Sequence, residues 1–249
     1  MTFSIQFKRA STLRGIAESI RDLSQIINIS IQRDGLHVQA MDSSAISLCE
    51  VFLPRTGFSN FDLETENEMV GIHVPALVLT TKCCDPDKPV SIKSSTNGTR
   101  VIITDDNQFT FELNGIEVMS DKLNIPKIVY ETTIHMKSEL FRRTVCDMSE
   151  FGTQCAIKYE NNTFELEFSG GDQGVARFNF KQQCLCKGNS LSKQVLSLRH
   201  LKIFTKATQL GKELLLEACS EQPLKLTYHM DMFEGGSITF YLAPQVVDP

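Results

Sequence analysis

Short patterns in this chain return at a nearly fixed distance. Ser11-x-Leu13 comes back as Ser138-x-Leu140, the turn at Asp34-Gly35 as Asn161-Asn162, and His73-Val74-x-x-Leu77 as His200-Leu201-x-x-Phe204, each 127 residues on. Phe109-Thr-Phe-Glu-Leu113 is matched by Ile238-Thr-Phe-Tyr-Leu242 at 129. An offset shared by helix, turn and strand patterns marks a duplicated unit. The expected fold is therefore α+β, with two similar domains at 1–113 and 129–249 and a connector at 114–128.

Each copy mixes two periods. Phe3–Lys8 alternates as a strand, and a helix follows with Ser11 as its expected N-cap and Leu13, Ile16, Ala17, Ile20 and Leu23 as its apolar stripe. Arg14 and Arg21 share the outer face, with Glu18 between them. Strands are expected at 27–32, 36–41 and 47–53, then a helix at Val74–Cys83 opened by Pro75, then strands at 90–94, 100–104 and 109–113. The turns between these last strands are Asn97-Gly98 and Asp105-Asp106-Asn107. In the second copy a helix starts near Ser138, and Leu198–Leu210 reads as one continuous amphipathic helix. There Leu198, Leu201, Phe204 and Ala207 form the stripe, and Arg199, Lys202 and Lys206 lie opposite. The helices should cover one face of the antiparallel sheets.

Charge is unevenly spread. Gln173–Lys212 holds eight Lys and Arg and no acid, which leaves 17 basic residues against 30 acidic ones in the rest of the chain. Such segregation in an acid-rich chain points to a polyanion partner. The start of the chain reads as a strand and not as a signal peptide, and no apolar run approaches a membrane span. The eight Cys show no zinc spacing and are expected as reduced thiols, mostly buried.

No catalytic motif is present: neither H-E-x-x-H, nor G-x-S-x-G, nor G-x-x-x-x-G-K-[ST]. Gly170-Gly171-Asp-Gln-Gly174 sits between strands and reads as a turn, not a phosphate cradle. Asp85/Asp87 and Asp105/Asp106 read as solvated turn residues; as metal ligands they would make the chain a metal-dependent phosphoesterase, the competing enzyme reading. No catalytic residue, metal ligand or cofactor is assigned. All four helices carry cations outside their stripes: Arg14 and Arg21; Lys82; Arg142 and Arg143; Arg199, Lys202 and Lys206. A surface of that kind suits the phosphates of duplex DNA and lacks groups for reading base edges.

Met41-Asp-Ser-Ser-Ala-Ile-Ser-Leu48, Leu123-Asn-Ile-Pro126, Phe204-Thr-Lys-Ala-Thr-x-Leu210 and Tyr241-Leu-Ala-Pro244 resemble the signature segments of the proliferating cell nuclear antigen family, the eukaryotic-type sliding clamp. The resemblance implies a DNA clamp fold and a head-to-tail homotrimeric ring around duplex DNA. The ring would tether DNA polymerase and other replication and repair proteins, and a clamp loader would open it. The setting it implies is the nucleus or the replication compartment of a large DNA virus. It places Arg14, Arg21, Lys82, Arg143, Arg199 and Lys206 on the family's channel helices; Gly15, Leu79 and Cys146 stand at usually basic positions, so the channel should be less positive than usual, with Arg142 and Lys202 as partial replacements. It assigns a pocket for short helical peptides to Met41, Ile46, Leu48, Leu123, Ile125, Pro126, Pro223, Tyr241, Ala243 and Pro244. Ala45 stands there where a His is frequent, and Asn161 where many members carry a modifiable Lys. The strands with Phe109, Phe111 and Leu113, and with Val175, Arg177 and Phe178, are the expected subunit edges. A subunit of a heteromeric checkpoint-type ring and a monomeric processivity subunit are the alternatives.

Overall fold

The computed structural model describes residues 2–95, 100–105, 109–116, 123, 125, 127–161 and 163–245. The first half runs β1 (Phe3–Phe7), α1 (Ala10–Ile20), β2 (Ile26–Gln32), β3 (Gly35–Met41), β4 (Ser47–Pro54), β5 (Asn60–Leu63), β6 (Asn67–His73), α2 (Val74–Cys83), β7 (Val90–Ser94), β8 (Arg100–Asp105) and β9 (Phe109–Asn114). The second half repeats it: β10 (Thr132–Lys137), α3 (Ser138–Met148), β11 (Gln154–Glu160), β12 (Thr163–Ser169), β13 (Val175–Asn179), β14 (Cys184–Gly188), β15 (Leu191–Ser197), α4 (Leu198–Phe204), β16 (Glu213–Ala218), β17 (Leu224–His229) and β18 (Ser237–Leu242).

The strand orders are equivalent. β5-β1-β7-β8-β9 in the first half corresponds to β14-β10-β16-β17-β18 in the second, and β6-β2-β3-β4 corresponds to β15-β11-β12-β13. The single offset expected from the sequence does not hold. α1 and α3 start at Ala10 and Ser138, 128 apart, whereas α2 and α4 start at Val74 and Leu198, 124 apart. Four residues are lost between β12 and α4 and regained before the last strand, since β9 and β18 again start 128 apart. The regained residues lie in the link 230–236, which replaces the shorter link 106–108.

Two compact units result. The first comprises Met1–Ser43, Cys49–Asn124 and Met230–Ile238; the second comprises Ser44–Leu48, Ile125–His229 and Thr239–Pro249. In the first, α1 packs on α2 and buries Leu13, Ile16, Ala17 and Ile20. Burying each Leu or Ile there contributes about 1.5–3 kcal/mol. In the second, α3 packs on α4 and the turn after it, burying Phe141, Val145, Leu201 and Phe204.

Ser11 is not an N-cap. The helix begins at Ala10, Arg9 occupies the cap position in extended backbone, and no side chain caps it. All four helices solve their open N-termini in another way. Ala10 N donates to Lys88 O (2.8 Å), Val74 N to Gln25 O (2.9 Å), Ser138 N to Lys212 O (2.8 Å) and Leu198 N to Thr153 O (2.9 Å). A carbonyl from a loop distant in sequence thus satisfies the first amide of each helix, one of the four that have no partner within the helix. The fourth helix is also shorter than its stripe suggested. It ends at Phe204 and continues as a 3-10 turn, Thr205–Gln209, where Thr205 Oγ1 bonds back to Lys202 O at 2.7 Å.

An aromatic cluster closes the first unit. Phe58 meets Phe7 and Phe233 edge-on, with ring centroids 5.0 and 4.9 Å away, and Phe61 lies 5.2 Å from Phe58. Phe233 comes from the long 230–236 link and fits only because Gly57 has no side chain. A Cβ on Gly57 would stand 2.1 Å from Phe233 Cε1.

Two further expectations change. Asp105 is buried, with its Oδ2 accepting from Asp85 N at 3.1 Å, so it is no solvated turn residue. Of the eight free cysteines only Cys49, Cys84 and Cys155 are buried; Cys83 is exposed and the other four are half-buried. Gly171–Gln173 forms a 3-10 turn between β12 and β13. The Asn97-Gly98 turn, Asp106, Asn107, Asn162 and Pro126 lie outside the described residues.

Candidate nucleic-acid interface

The cationic side chains of the helices divide into two groups. Arg14 Nε bonds Glu18 at 3.0 Å, one turn along α1, and Arg21 Nε bonds Asp22 at 3.3 Å. On α3, Arg142 grips Glu139 with two guanidinium nitrogens, and Arg143 lies 3.7 Å from Asp147. The fork pushes the Arg142 pKa up and holds the exposed Glu139 carboxyl below its usual range. These four arginines are matched one for one by acids of their own helix or the residue beside them.

The second group carries the excess. Lys82 is exposed in the last turn of α2, and Arg199 is exposed on α4. Lys202 donates to Ser149 Oγ at 2.9 Å and lies 3.8 Å from Glu150. Lys206 is half-buried in the 3-10 turn that continues α4. Arg199, Lys202 and Lys206 thus put three cations on α4 and the turn that continues it. Where α2 lacks a cation it presents Leu79, which is 66 % exposed. Arg142 is therefore a poor substitute for the missing charges, since Glu139 already occupies its fork.

The residues of the expected peptide pocket are placed as follows. Met41, Ile46 and Leu123 are exposed; Leu48, Ile125, Pro223, Tyr241, Ala243 and Pro244 are half-buried. In the first unit, Gln39 holds the connector. Its side chain accepts from Leu123 N (2.9 Å) and donates to Leu123 O (3.0 Å), and the same Nε2 reaches Glu50 at 2.8 Å. Nothing in the sequence singled out Gln39, whose role depends on its place on the outward side of β3. In the second unit, Ala243 N donates to Ile46 O at 3.0 Å. Ala45 beside it has φ 54, a left-handed backbone that costs a non-glycine residue about 1 kcal/mol.

β9 and β13 each end a strand order. On β9 the rings of Phe109 and Phe111 stack at 6.1 Å, with Phe109 45 % exposed; on β13 Phe178 meets Phe168 edge-on at 6.0 Å, and Val175 is exposed. Leu113 is half-buried. Arg177 of β13 is held by Glu167 of β12, Nε to Oε2 2.8 Å. Among the described residues no group of three or more His, Cys, Asp or Glu is placed to hold a metal.

Doubled, with two helices and nine strands among the described residues of each half, this is the architecture of a DNA clamp subunit. The chain matches the proliferating cell nuclear antigen N-terminal domain over residues 2–125 and the C-terminal domain over 124–245. It is 24 % identical over 246 residues to a probable DNA polymerase sliding clamp 2 of Paramecium bursaria Chlorella virus 1, covering 99 % of this chain and 92 % of that one. The crystal structure of the proliferating cellular nuclear antigen of Entamoeba histolytica has the same fold, with a TM-score of 0.90 at 22 % identity over 99 % of this chain and 100 % of that one. The chain belongs to the proliferating cell nuclear antigen family.

Proposed function

We propose that this chain acts as a closed homotrimer that surrounds duplex DNA. It is a DNA sliding clamp, a polymerase processivity factor. The observation that carries the DNA reading is the cation set Lys82, Arg199, Lys202 and Lys206, set on α2, on α4 and on the 3-10 turn that continues it, in a chain whose remainder is acidic. Contacts of this kind bind phosphates without reading sequence, so the protein stays on the duplex yet remains free to move along it. A ring turns weak, screened contacts into a topological hold.

Closure is assigned to β9 of one subunit and β13 of the next, two edges with exposed aromatic residues that a head-to-tail contact would cover. The exposed apolar residues Met41, Ile46 and Leu123, with Ile125 and Tyr241, receive short helical peptides carrying an aliphatic and two aromatic anchors. Those peptides belong to DNA polymerase, to the ATP-driven clamp loader and to other replication and repair proteins. The clamp itself catalyses nothing. Its place is the nucleus or the replication compartment of a large DNA virus. Light scattering on the purified protein tests the assembly: the reading requires three times the 28.0 kDa chain mass, and a lone monomer rejects it in favour of a heteromeric ring or a one-sided processivity subunit.

A further inference from the structure

Cys184 and Cys186 occupy alternate positions of β14, so both side chains project to the same side, and their Sγ atoms are 3.4 Å apart. Across the β10–β14 ladder Cys184 faces Met136 and Cys186 faces Ile134, both buried, while Leu185 between the cysteines points the other way and is exposed. The two thiols are half-buried, and Cys184 donates to Phe180 O at 3.4 Å.

A disulfide suits this pair poorly. Alternate residues of an extended strand are about 6.8 Å apart at Cα, the outer limit for a disulfide. Closing the bond would require the strand to pucker. A chelated ion asks for far less movement, because two sulfurs on a three-coordinate centre with metal–sulfur bonds of about 2.3 Å lie about 4.0 Å apart. The sulfurs need only open slightly. Zinc would want four ligands of the His, Cys or carboxylate kind, and among the described residues no cluster of even three exists. Two thiolates and a thioether are instead the ligand set of Cu(I), and Met136, on the same face as Cys184, supplies the thioether.

We propose that Cys184, Cys186 and Met136 form a binding site for one Cu(I) ion. Binding exchanges protons and moves no electrons: each thiol gives up its proton as its sulfur bonds the ion, leaving a bis-thiolate complex and two released protons. Affinity therefore rises with pH. β14 is the last strand of its order, paired to β10, so the ion ties a peripheral strand to the buried Met136 on the strand beside it. Occupancy should raise the melting temperature.

The test is anaerobic titration of the full-length protein with Cu(I) held by bicinchoninate, followed by the chelator's colour and by thiolate-to-copper absorption in the ultraviolet. The expected result is one equivalent transferred to the wild-type protein. Cys184→Ser and Cys186→Ser each cost about 100-fold in affinity, Met136→Leu about tenfold with the stoichiometry kept, and Cys83→Ser nothing. No transfer to the wild type overturns the proposal. So does wild-type affinity in either of the first two variants, because another thiol would then hold the ion.

Discussion

Arg177 donates its Nε hydrogen to Glu167 Oε2 at 2.8 Å and so ties the edge strand β13 to β12. The same carboxylate accepts from Lys158 Nζ at 2.8 Å and Lys193 Nζ at 2.7 Å, so one acid, its side chain 9 % exposed, gathers cations from three other strands. The hydrogen bond from Lys158 comes first, followed by that from Lys193; together with the Arg177 bond they hold the Glu167 pKa at about 2, against an ordinary 4.5. A carboxyl depressed in the folded state adds stability that is complete above pH 4.5 and is lost as pH falls toward 2. Glu167→Gln removes the charge and leaves three cations facing one another. Its cost in urea denaturation at pH 7 should be about 2 kcal/mol, kept modest because Arg177 and Lys193 remain half in water. At pH 2 the variant and the wild type should differ by much less.

Gly57 and Phe233 make the second test. Gly57→Ala forces a methyl into the ring of Phe233, an overpacking that costs about 1–3 kcal/mol in chemical denaturation. Phe233→Leu in the same chain frees the space. The double variant should therefore lose less stability than the two single changes added together. Additive losses would place the strain elsewhere.

The division of the cations predicts unequal effects on DNA. Arg199→Glu with Lys206→Glu should abolish stimulation of polymerase on primed DNA and leave the trimer intact. In salt titrations of retention on circular DNA, removing two phosphate contacts lowers the log–log slope by about 1.8. Arg142→Gln, whose guanidinium is already spent on Glu139, should change that slope by less than half as much as Arg199→Gln. Equal slopes for these two single variants would contradict the division.

Ile125→Ala with Tyr241→Ala tests the peptide surface separately. Loss of two anchoring contacts, each worth about 1.5–3 kcal/mol if fully buried, should weaken a helical peptide at least tenfold by fluorescence polarisation. Retention on DNA should be unchanged. A fall in DNA retention of the same size would show that the two changes damage the ring and not the surface.

Much of this was legible in the residues, because the repeat is carried by local patterns. The stripe Leu13, Ile16, Ala17, Ile20 and the alternation of β2 and β3 each report one element from one stretch of chain. What the sequence could not show depends on distant partners. Ser11 looks like an N-cap, but the 86–88 loop lets the helix start earlier: Ala10 N donates to Lys88 O at 2.8 Å and Ser11 N to Pro86 O at 3.0 Å, so Ser11 already lies inside it. The Glu167 cluster draws on four strands, and Gln39 meets Leu123 only after folding. The pairing of Arg142 with Glu139 is different. Its three-residue spacing stood in plain view, and reading cations without their neighbouring acids overlooked it.

The most direct measurement loads the protein onto circular duplex DNA, isolates the complex and then cuts the circle once. A ring held by topology stays on the intact circle at salt that defeats its ionic contacts and runs off within minutes of the cut. Equal retention on circular and linear DNA would contradict encirclement and leave only binding along one cationic face.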